Sequence, residues 1–199
     1  GTLGEKYGIP VYTTPEIHKG INKSYCMTEK LSTCVRYIEK ENPIQFKNFR
    51  ITCFEVPHDG TDNVGYSIEV GGKVISFLTD LGHITPIAAK YINKSNYLIL
   101  EANYDEEMLR MGPYPQYLKE RIEEPNGHMC NKDTASFLAD NMHEGLKFVG
   151  LCHLSKENNH PDLAYKTMEI YLRSKGIIIG KDLQLTVLKR NTPTGIYSF

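Results

Sequence analysis

The chain has 199 residues, of which 40% are hydrophobic and 24% charged, and its formal net charge is −1. This length predicts a single domain with a sizeable core. The near-neutral charge excludes a broad electrostatic attraction to nucleic acid or membrane and leaves only a local basic groove. No apolar run approaches the length of a membrane span, so we expect no membrane partner.

The first half of the chain predicts strands, a partly helical stretch and one hairpin. These are a short parallel strand over residues 8 to 13, mixed and partly helical chain over 15 to 40, a strand over 49 to 56, and a β-hairpin formed by residues 64 to 70 and 73 to 79. The pair Gly71-Gly72 between the hairpin strands is a strong turn signal.

The second half alternates helix and strand. Helices are predicted from Pro86 to Tyr91, from Tyr104 to Met111, from an Asn131 cap through Met142, and from Pro161 onward. Buried strands are predicted at Tyr97 to Glu101, Lys147 to Cys152 and Leu183 to Leu188. Because hairpins come first and βαβ units later, we expect a layered α/β protein with a mixed sheet.

Five cysteines, an odd number without a Cys-x-x-Cys pair, argue against a disulfide framework. They fit a reducing compartment, and we therefore expect a cytoplasmic location. No signal peptide is visible. The chain begins with Gly1, which we interpret as a processed or truncated end.

Histidines and acidic residues follow four of the apolar runs. They are His58, Asp80, Glu101 and His153. The carboxyl ends of the strands in an α/β sheet open onto the crevice where such sheets place their sites. Two histidines and two acids at that edge predict a metal site or an acid–base site.

Three of these residues suit a metal. Neutral imidazole from His58 and His153 and the carboxylate of Asp80 are ligands for Zn²⁺ or Mn²⁺. A carboxylate can also bridge two metals, and a two-metal site activates water and clamps a phosphoryl group. The wide spacing of the three suits strand-end loops and does not suit a zinc finger.

His128 lies in a turn before the predicted Asn131 helix. An imidazole there could donate a proton or hold a phosphate oxygen. Glu101 could orient it, because a carboxylate fixes the tautomer of its imidazole partner.

Each candidate also has a purely structural interpretation. A lone His after a strand is commonly an ordinary hydrogen-bonded residue, Asp80 could cap the following turn, and Glu101 could pair with a Lys. We interpret four further histidines as structural: His18, His83, His143 and His160. We interpret three tyrosines as packing residues rather than as a base-stacking platform: Tyr104, Tyr114 and Tyr117. Spacing alone leaves the metal site and the structural interpretation equally open.

A series of motifs resembles a known family. They are, in order, Pro57-His58-Asp59, Thr79-Asp80-Leu81-Gly82, Leu100-Glu101-Ala102-Asn103-Tyr104-Asp105, Gly112-Pro113-Tyr114-Pro115, Gly127-His128 and His153-Leu154-Ser155-Lys156-Glu157-Asn158-Asn159. This series resembles the metallo-β-lactamase-fold hydrolases of the WalJ/YycJ type, a bacterial group of metal-dependent nucleases. The resemblance covers nearly the whole chain.

The resemblance implies an αββα sandwich with mixed sheets and a site for two divalent metal ions, Zn²⁺ or Mn²⁺. By motif, His58 would bind one metal, His153 the other, and Asp80 would bridge both. The implied activity is a metal-dependent phosphodiesterase or nuclease that acts through a metal-bound hydroxide. The implied substrate is nucleic acid, DNA rather than RNA, with 5′-to-3′ exonuclease action.

The remaining site residues are also assigned by resemblance. Ribonuclease Z has a similar order of motifs, which implies that Glu101 and His128 assist phosphodiester cleavage. Ser155 and Asn159 would line the substrate groove. Two alternatives stay open: a hydrolase of a small ester, lactone or thioester on the same fold, and an inactive remnant that acts as an interaction protein.

The chain departs from the family in one respect. The His-x-His-x-Asp-His motif, which supplies further ligands, is absent, and so are the first strands, so we expect residues 1–199 to form one partial domain. We therefore expect weak or absent metal binding and impaired nuclease activity. The missing strands would leave an apolar sheet edge, which makes a homodimer plausible.

Overall fold

The computed structural model describes residues 2–198. Its strands are β1 (Val11–Thr13), β2 (Val35–Tyr37), β3 (Ile44–Phe46), β4 (Phe49–Glu55), β5 (Val64–Val70), β6 (Lys73–Leu78), β7 (Tyr97–Glu101), β8 (Phe148–Cys152) and β9 (Gln184–Val187). Its helices are α1 (Pro15–Lys23), α2 (Pro86–Ile92), α3 (Glu106–Met111), α4 (Gln116–Glu123), α5 (Asn131–Asn141) and α6 (Pro161–Ser174), and a π-helical turn, Thr2–Lys6, precedes β1.

The main sheet has seven strands in sequence order from β3 to β9. Strands β3 to β6 are antiparallel neighbours, whereas β6 to β9 are parallel, so the predicted mixed sheet is confirmed. The predicted hairpin is also present. It joins β5 to β6 through Gly71 and Gly72, both with positive φ. Strands β1 and β2 pair in parallel as a separate small sheet.

The core lies between the main sheet and the helices. Helix α5 packs on α6, and α2 packs against β4 and β6. The ring of Phe54 stacks on that of Tyr91 with centroids 4.0 Å apart. Nearly continuous apolar strands such as β7 and β8 are typical of a buried parallel sheet. None of the helices within residues 2–198 is long and apolar enough to cross a membrane.

Some details differ from the sequence-based expectation. The N-cap of α5 is Cys130, whose Sγ accepts a hydrogen bond from the backbone N–H of Asp133. Asn131 was predicted to be the cap, but it is the first helical residue, and its buried amide pairs with Asn159 instead. The elements β2, β3 and α4 were not predicted, since each is short and has few apolar residues.

The topology brings four strand ends to the same edge of the sheet. Strands β6, β7 and β8 are parallel neighbours, and β4 runs in the same direction because β5 is antiparallel to both β4 and β6. The loops that follow these four strands therefore emerge together. The loops carry His58, Asp80 and His153, and Glu101 is the last residue of β7.

Candidate functional site

The carboxylate of Asp80 lies between two imidazoles. Its Oδ1 is 3.7 Å from Nε2 of His58 and 3.3 Å from Nε2 of His153. The structure thus brings together the three residues for which the sequence predicts metal ligation.

Two of these residues adopt an unusual backbone conformation. Asp80 and His153 each have φ of +57°. The left-handed region is uncommon for residues other than glycine, and such strain concentrates at functional sites. The surrounding strands hold both residues in this conformation at the ends of β6 and β8.

A backbone carbonyl orients His58. Its Nδ1 lies 2.9 Å from the carbonyl oxygen of Gly127. Because a carbonyl only accepts, Nδ1 carries the proton and donates, and Nε2 keeps its lone pair for a cation. Only glycine fits at position 127, since an added Cβ would lie 2.2 Å from the carbonyl oxygen of Ile122.

Glu101 is fully buried beneath the site. Its Oε1 lies 2.6 Å from Nδ1 of His128 and 3.5 Å from Nδ1 of His153, and its Oε2 accepts a hydrogen bond from the backbone N–H of Leu81. Burial favours the neutral acid, but the hydrogen bonds from His128 and His153 outweigh it and hold the pKa of Glu101 below its ordinary value. The predicted contact of Glu101 with His128 is present, and the alternative interpretation, in which Glu101 pairs with a Lys, is wrong.

Asn103 supports His153 and was not predicted as a site residue. Its Nδ2 donates to the carbonyl oxygen of His153 at 2.8 Å and lies 3.1 Å from Nδ1 of the same residue. The hydrogen bond to Glu101 raises the pKa of His153 above its ordinary value. The available signal for Asn103 was its place in the motif that begins with Leu100-Glu101.

The donor atoms form two overlapping groups, within each of which the atoms lie no more than 4.8 Å apart. One group is His58, Asp80 and His128, and the other is Glu101, His128 and His153. His58 and His153 share no such group among the described residues, although Asp80 contacts both. Imidazole nitrogens and carboxylate oxygens suit Zn²⁺ and Mn²⁺, so the residues present fit divalent metals.

A cleft of about 240 Å³ opens beside these side chains. His128 contributes to its lining, with Tyr114, Leu118 and Ile122 on the side of α4. The lining also includes Asn103, Ser155 and Arg190.

Two lining residues of the cleft, Arg121 and Asp59, form an ion pair. Nε of Arg121 donates to Oδ2 of Asp59 at 2.5 Å, and this contact lowers the pKa of Asp59. The other carboxylate oxygen of Asp59 lies 3.5 Å from Nε2 of His58. The sequence did not reveal this pair, because the two residues are 62 positions apart.

The two predicted groove residues have different positions. Ser155 lines the cleft. Asn159 does not, since it is buried and its Nδ2 donates to the carbonyl oxygens of Ala102 and Asn103, each at 2.9 Å. Its Oδ1 accepts from Asn131. The prediction that Asn159 lines the groove is therefore wrong, and its amide instead joins the segment after β7 and α5 to the loop after β8.

The residues interpreted as structural lie outside both donor groups within the described chain. They are His18, His83, His143 and His160. His83 is exposed, and its Nδ1 lies 2.8 Å from the carbonyl oxygen of Pro125. Among the tyrosines, Tyr104 is buried and Tyr117 is largely exposed, whereas Tyr114 borders the cleft.

Comparison with known proteins gives consistent similarities. Residues 2–148 match the family described as Beta-lactamase superfamily domain. The chain is 30% identical over 197 residues to exodeoxyribonuclease YycJ of Bacillus anthracis, which covers 98% of this chain and 74% of that protein. It is also 30% identical over 194 residues to exodeoxyribonuclease WalJ of Streptococcus pneumoniae, which covers 98% of this chain and 72% of that protein.

Solved structures share the fold at lower identity. The metallo-β-lactamase fold protein YhfI from Bacillus subtilis superposes with a TM-score of 0.61 at 15% identity, over 94% of this chain and 66% of that one. Zn²⁺-bound PqqB from Methylobacterium extorquens gives a TM-score of 0.62 at 19% identity, over 98% of this chain and 67% of that one.

Proposed function

Because the chain belongs to the β-lactamase superfamily, and within it to the WalJ/YycJ type of metallo-β-lactamase-fold metal-dependent hydrolases, we propose that it is a phosphodiesterase that acts on DNA. The observation that carries this proposal is the carboxylate of Asp80 between His58 and His153, beside the Glu101–His128 pair. The names of the two curated relatives, both exodeoxyribonucleases, support DNA as the substrate.

Asp80 and the two histidines would hold the metal ions. His58 with Asp80 would serve one ion, and His153 with Asp80 would serve the other. Ions bound there would supply Lewis-acid activation of water and neutralise charge on the phosphoryl oxygens. The hydrogen bond from His58 to Gly127 keeps the first imidazole in its ligating orientation.

His128 would handle the substrate's phosphate. Glu101 accepts the Nδ1 proton of His128, which fixes the ring and leaves Nε2 available at the cleft. When the imidazole is protonated, it can donate from that atom to a phosphate oxygen or to the leaving oxygen.

We further propose that the affinity for metal is weak. Catalytic zinc sites commonly use three protein ligands for one ion, whereas the assignment of Glu101 and His128 to the substrate leaves His58, Asp80 and His153 for two positions. Weak affinity is offset by mass action, so occupancy and activity should rise with metal concentration into the millimolar range.

Cleavage of end-labelled DNA by excess protein, measured as Mn²⁺ increases from micromolar to millimolar, tests this proposal. We expect the rate to rise over this range and the variant His128→Ala to be slower by about 100-fold or more. His83→Ala is the matched control, because His83 lies outside both donor groups, and it should keep the wild-type rate. Absence of Mn²⁺-dependent cleavage, or equal rates for the two variants, would contradict the proposal.

A panel of small substrates under the same conditions separates the other hydrolase hypotheses. We expect bis(p-nitrophenyl) phosphate to be cleaved, and lactones and thioesters to remain intact. Cleavage of a lactone or thioester without cleavage of any phosphodiester would overturn the proposal in favour of the small-ester hypothesis. If none of the substrates is hydrolysed, the result would favour the hypothesis that the chain is an inactive remnant that acts as an interaction protein.

A further inference from the structure

The lining of the cleft combines two kinds of side chain. One set is apolar and consists of Tyr114, Leu118 and Ile122. The other set offers hydrogen-bond donors and consists of Ser155 and Arg190. A cleft lined by both an apolar set and a cationic donor set suits a ligand that combines a flat apolar ring with an anion.

Arg190 is the cation available to that anion. It is exposed, its Nη2 donates to the carbonyl oxygen of Leu154 at 3.0 Å, and no carboxylate within residues 2–198 lies within 4.0 Å of its guanidinium. The other arginine of the cleft, Arg121, is already paired with Asp59. Guanidinium groups bind phosphate through two parallel hydrogen bonds, so Arg190 retains donors for such a group.

Ser155 adds a second donor. Its Oγ accepts a hydrogen bond from the backbone N–H of Asn158 at 3.2 Å, and its own backbone N–H donates to Asn103. Because Oγ acts as an acceptor toward Asn158, its own proton remains free to donate into the cleft. The hydroxyl and the guanidinium therefore both offer donors to an anion in the cleft.

Tyr114 provides the flat apolar surface. It is half-buried and packs, together with Leu118, against a small cluster that includes buried Leu109 and Ile122. This packing holds the ring in place at low entropic cost. Aromatic rings held in this way stack on nucleobases of any identity.

The size of the cleft limits the ligand. Its volume of about 240 Å³ lies below the roughly 300–1,000 Å³ of typical small-molecule sites, so it suits one nucleotide unit and not a duplex. We propose that the cleft holds the terminal nucleotide of a DNA strand, with its base on Tyr114 and Leu118 and its phosphate at Arg190 and Ser155. This inference rests on the proposed phosphodiesterase function and names its ligand class, a deoxynucleoside monophosphate.

Calorimetric binding to the metal-free protein in a chelator tests the inference. The ligands are 2′-deoxyadenosine 5′-monophosphate, deoxyadenosine and inorganic phosphate. We expect the nucleotide to bind at least about tenfold more tightly than deoxyadenosine or phosphate, since only the nucleotide contacts both the apolar and the donor side chains of the cleft. Equal affinity for the three ligands, or no binding of the nucleotide, would overturn the inference.

Variants in each of the two sets of lining residues show which set binds which part of the nucleotide. Arg190→Ala should reduce the nucleotide's affinity to that of deoxyadenosine, and Tyr114→Ala should reduce it to that of phosphate, whereas Tyr114→Phe should keep it. The matched controls are Arg173→Ala and Tyr117→Ala, which change exposed residues outside the cleft. Equal losses in controls and cleft variants would contradict the assignment.

Failure of the nucleotide-site proposal can be distinguished from failure of the phosphodiesterase proposal. Nucleotide binding without any metal-dependent hydrolysis would support the nucleotide site and overturn the phosphodiesterase. Mn²⁺-dependent DNA cleavage that Arg190→Ala and Tyr114→Ala leave unchanged would support the phosphodiesterase and overturn the nucleotide site.

Discussion

Oε1 of Glu101 lies 2.6 Å from Nδ1 of His128, although the two residues are 27 positions apart. Glu101 ends β7, and His128 lies in the turn before α5. The backbone N–H of Asn103 donates to the carbonyl oxygen of Met129, which fixes the turn against the end of β7. A buried carboxylate and a cleft imidazole thus form one unit, with the orientation of His128 dependent on Glu101.

The first prediction concerns acid stability. Because the pKa of Glu101 is lowered by folding, its ionisation stabilises the fold above the unfolded pKa of about 4.5, and this contribution is lost as pH falls through the folded value. In a chelator, the free energy of unfolding should therefore decrease below pH 4.5. Glu101→Gln should be less stable at neutral pH and lose less on acidification. Glu107→Gln, at an exposed position, is the control. Parallel curves for wild type and Glu101→Gln would count against this account.

The second prediction concerns the strained backbone at Asp80. Asparagine tolerates the left-handed conformation, whereas alanine at φ of +57° costs about 1 kcal/mol. In urea unfolding of the metal-free protein, Asp80→Asn should stay within about 0.5 kcal/mol of wild type. Asp80→Ala should be destabilised by about 1 kcal/mol more than Asp80→Asn. Equal destabilisation by both substitutions would show that the side chain, and not the backbone, sets the cost.

The third prediction separates Asn159 from Ser155. Asn159→Ala removes a buried amide that bonds two carbonyls and Asn131, and it should lower the free energy of unfolding by about 2 kcal/mol. Ser155→Ala should cost about 1 kcal/mol or less while weakening nucleotide binding. Urea unfolding and calorimetry provide the two readouts. A stable Asn159→Ala that binds nucleotide poorly would restore Asn159 as a groove residue.

The fourth prediction concerns thiol reactivity. Burial raises the pKa of Cys130 and of Cys152 to about 12, and Cys26 alone among the cysteines is fully exposed. Since the thiolate is the nucleophile, iodoacetamide at pH 8 should modify Cys26 rapidly and the other two only after unfolding. Mass spectrometry of timed samples measures this order. Early modification of Cys152 would indicate that the site-bearing end of β8 is open.

The sequence predicted the strand-end side chains because their signal is local. A buried parallel strand is a continuous apolar run, and the residue after it necessarily lies at the carboxyl edge of the sheet, as Asp80 and His153 do. His128, which no strand delivers directly, was a candidate because of its turn before the Asn131 helix, and the motif resemblance then implied its role in phosphodiester cleavage. The single-domain organisation, the homodimer and the individual catalytic roles stay predictions.

Other features depend on contacts between distant parts of the chain. Arg121 could not be matched to Asp59 from sequence, since many acids compete as partners for an exposed arginine. The amide of Asn159 was assigned to the groove by the family resemblance, which says nothing of its local contacts. Its burial follows from the carbonyls that β7 leaves at its end, which only the folded arrangement reveals.

The most direct test of the central claim, that Asp80 joins two metal positions, is a Mn²⁺ titration followed by electron paramagnetic resonance. The account predicts two weak sites in the wild type, with millimolar affinity, and loss of both in Asp80→Asn. His58→Ala and His153→Ala should each lose one site and keep the other. Wild-type binding by Asp80→Asn, or loss of all binding in both histidine variants, would contradict the bridging role of Asp80.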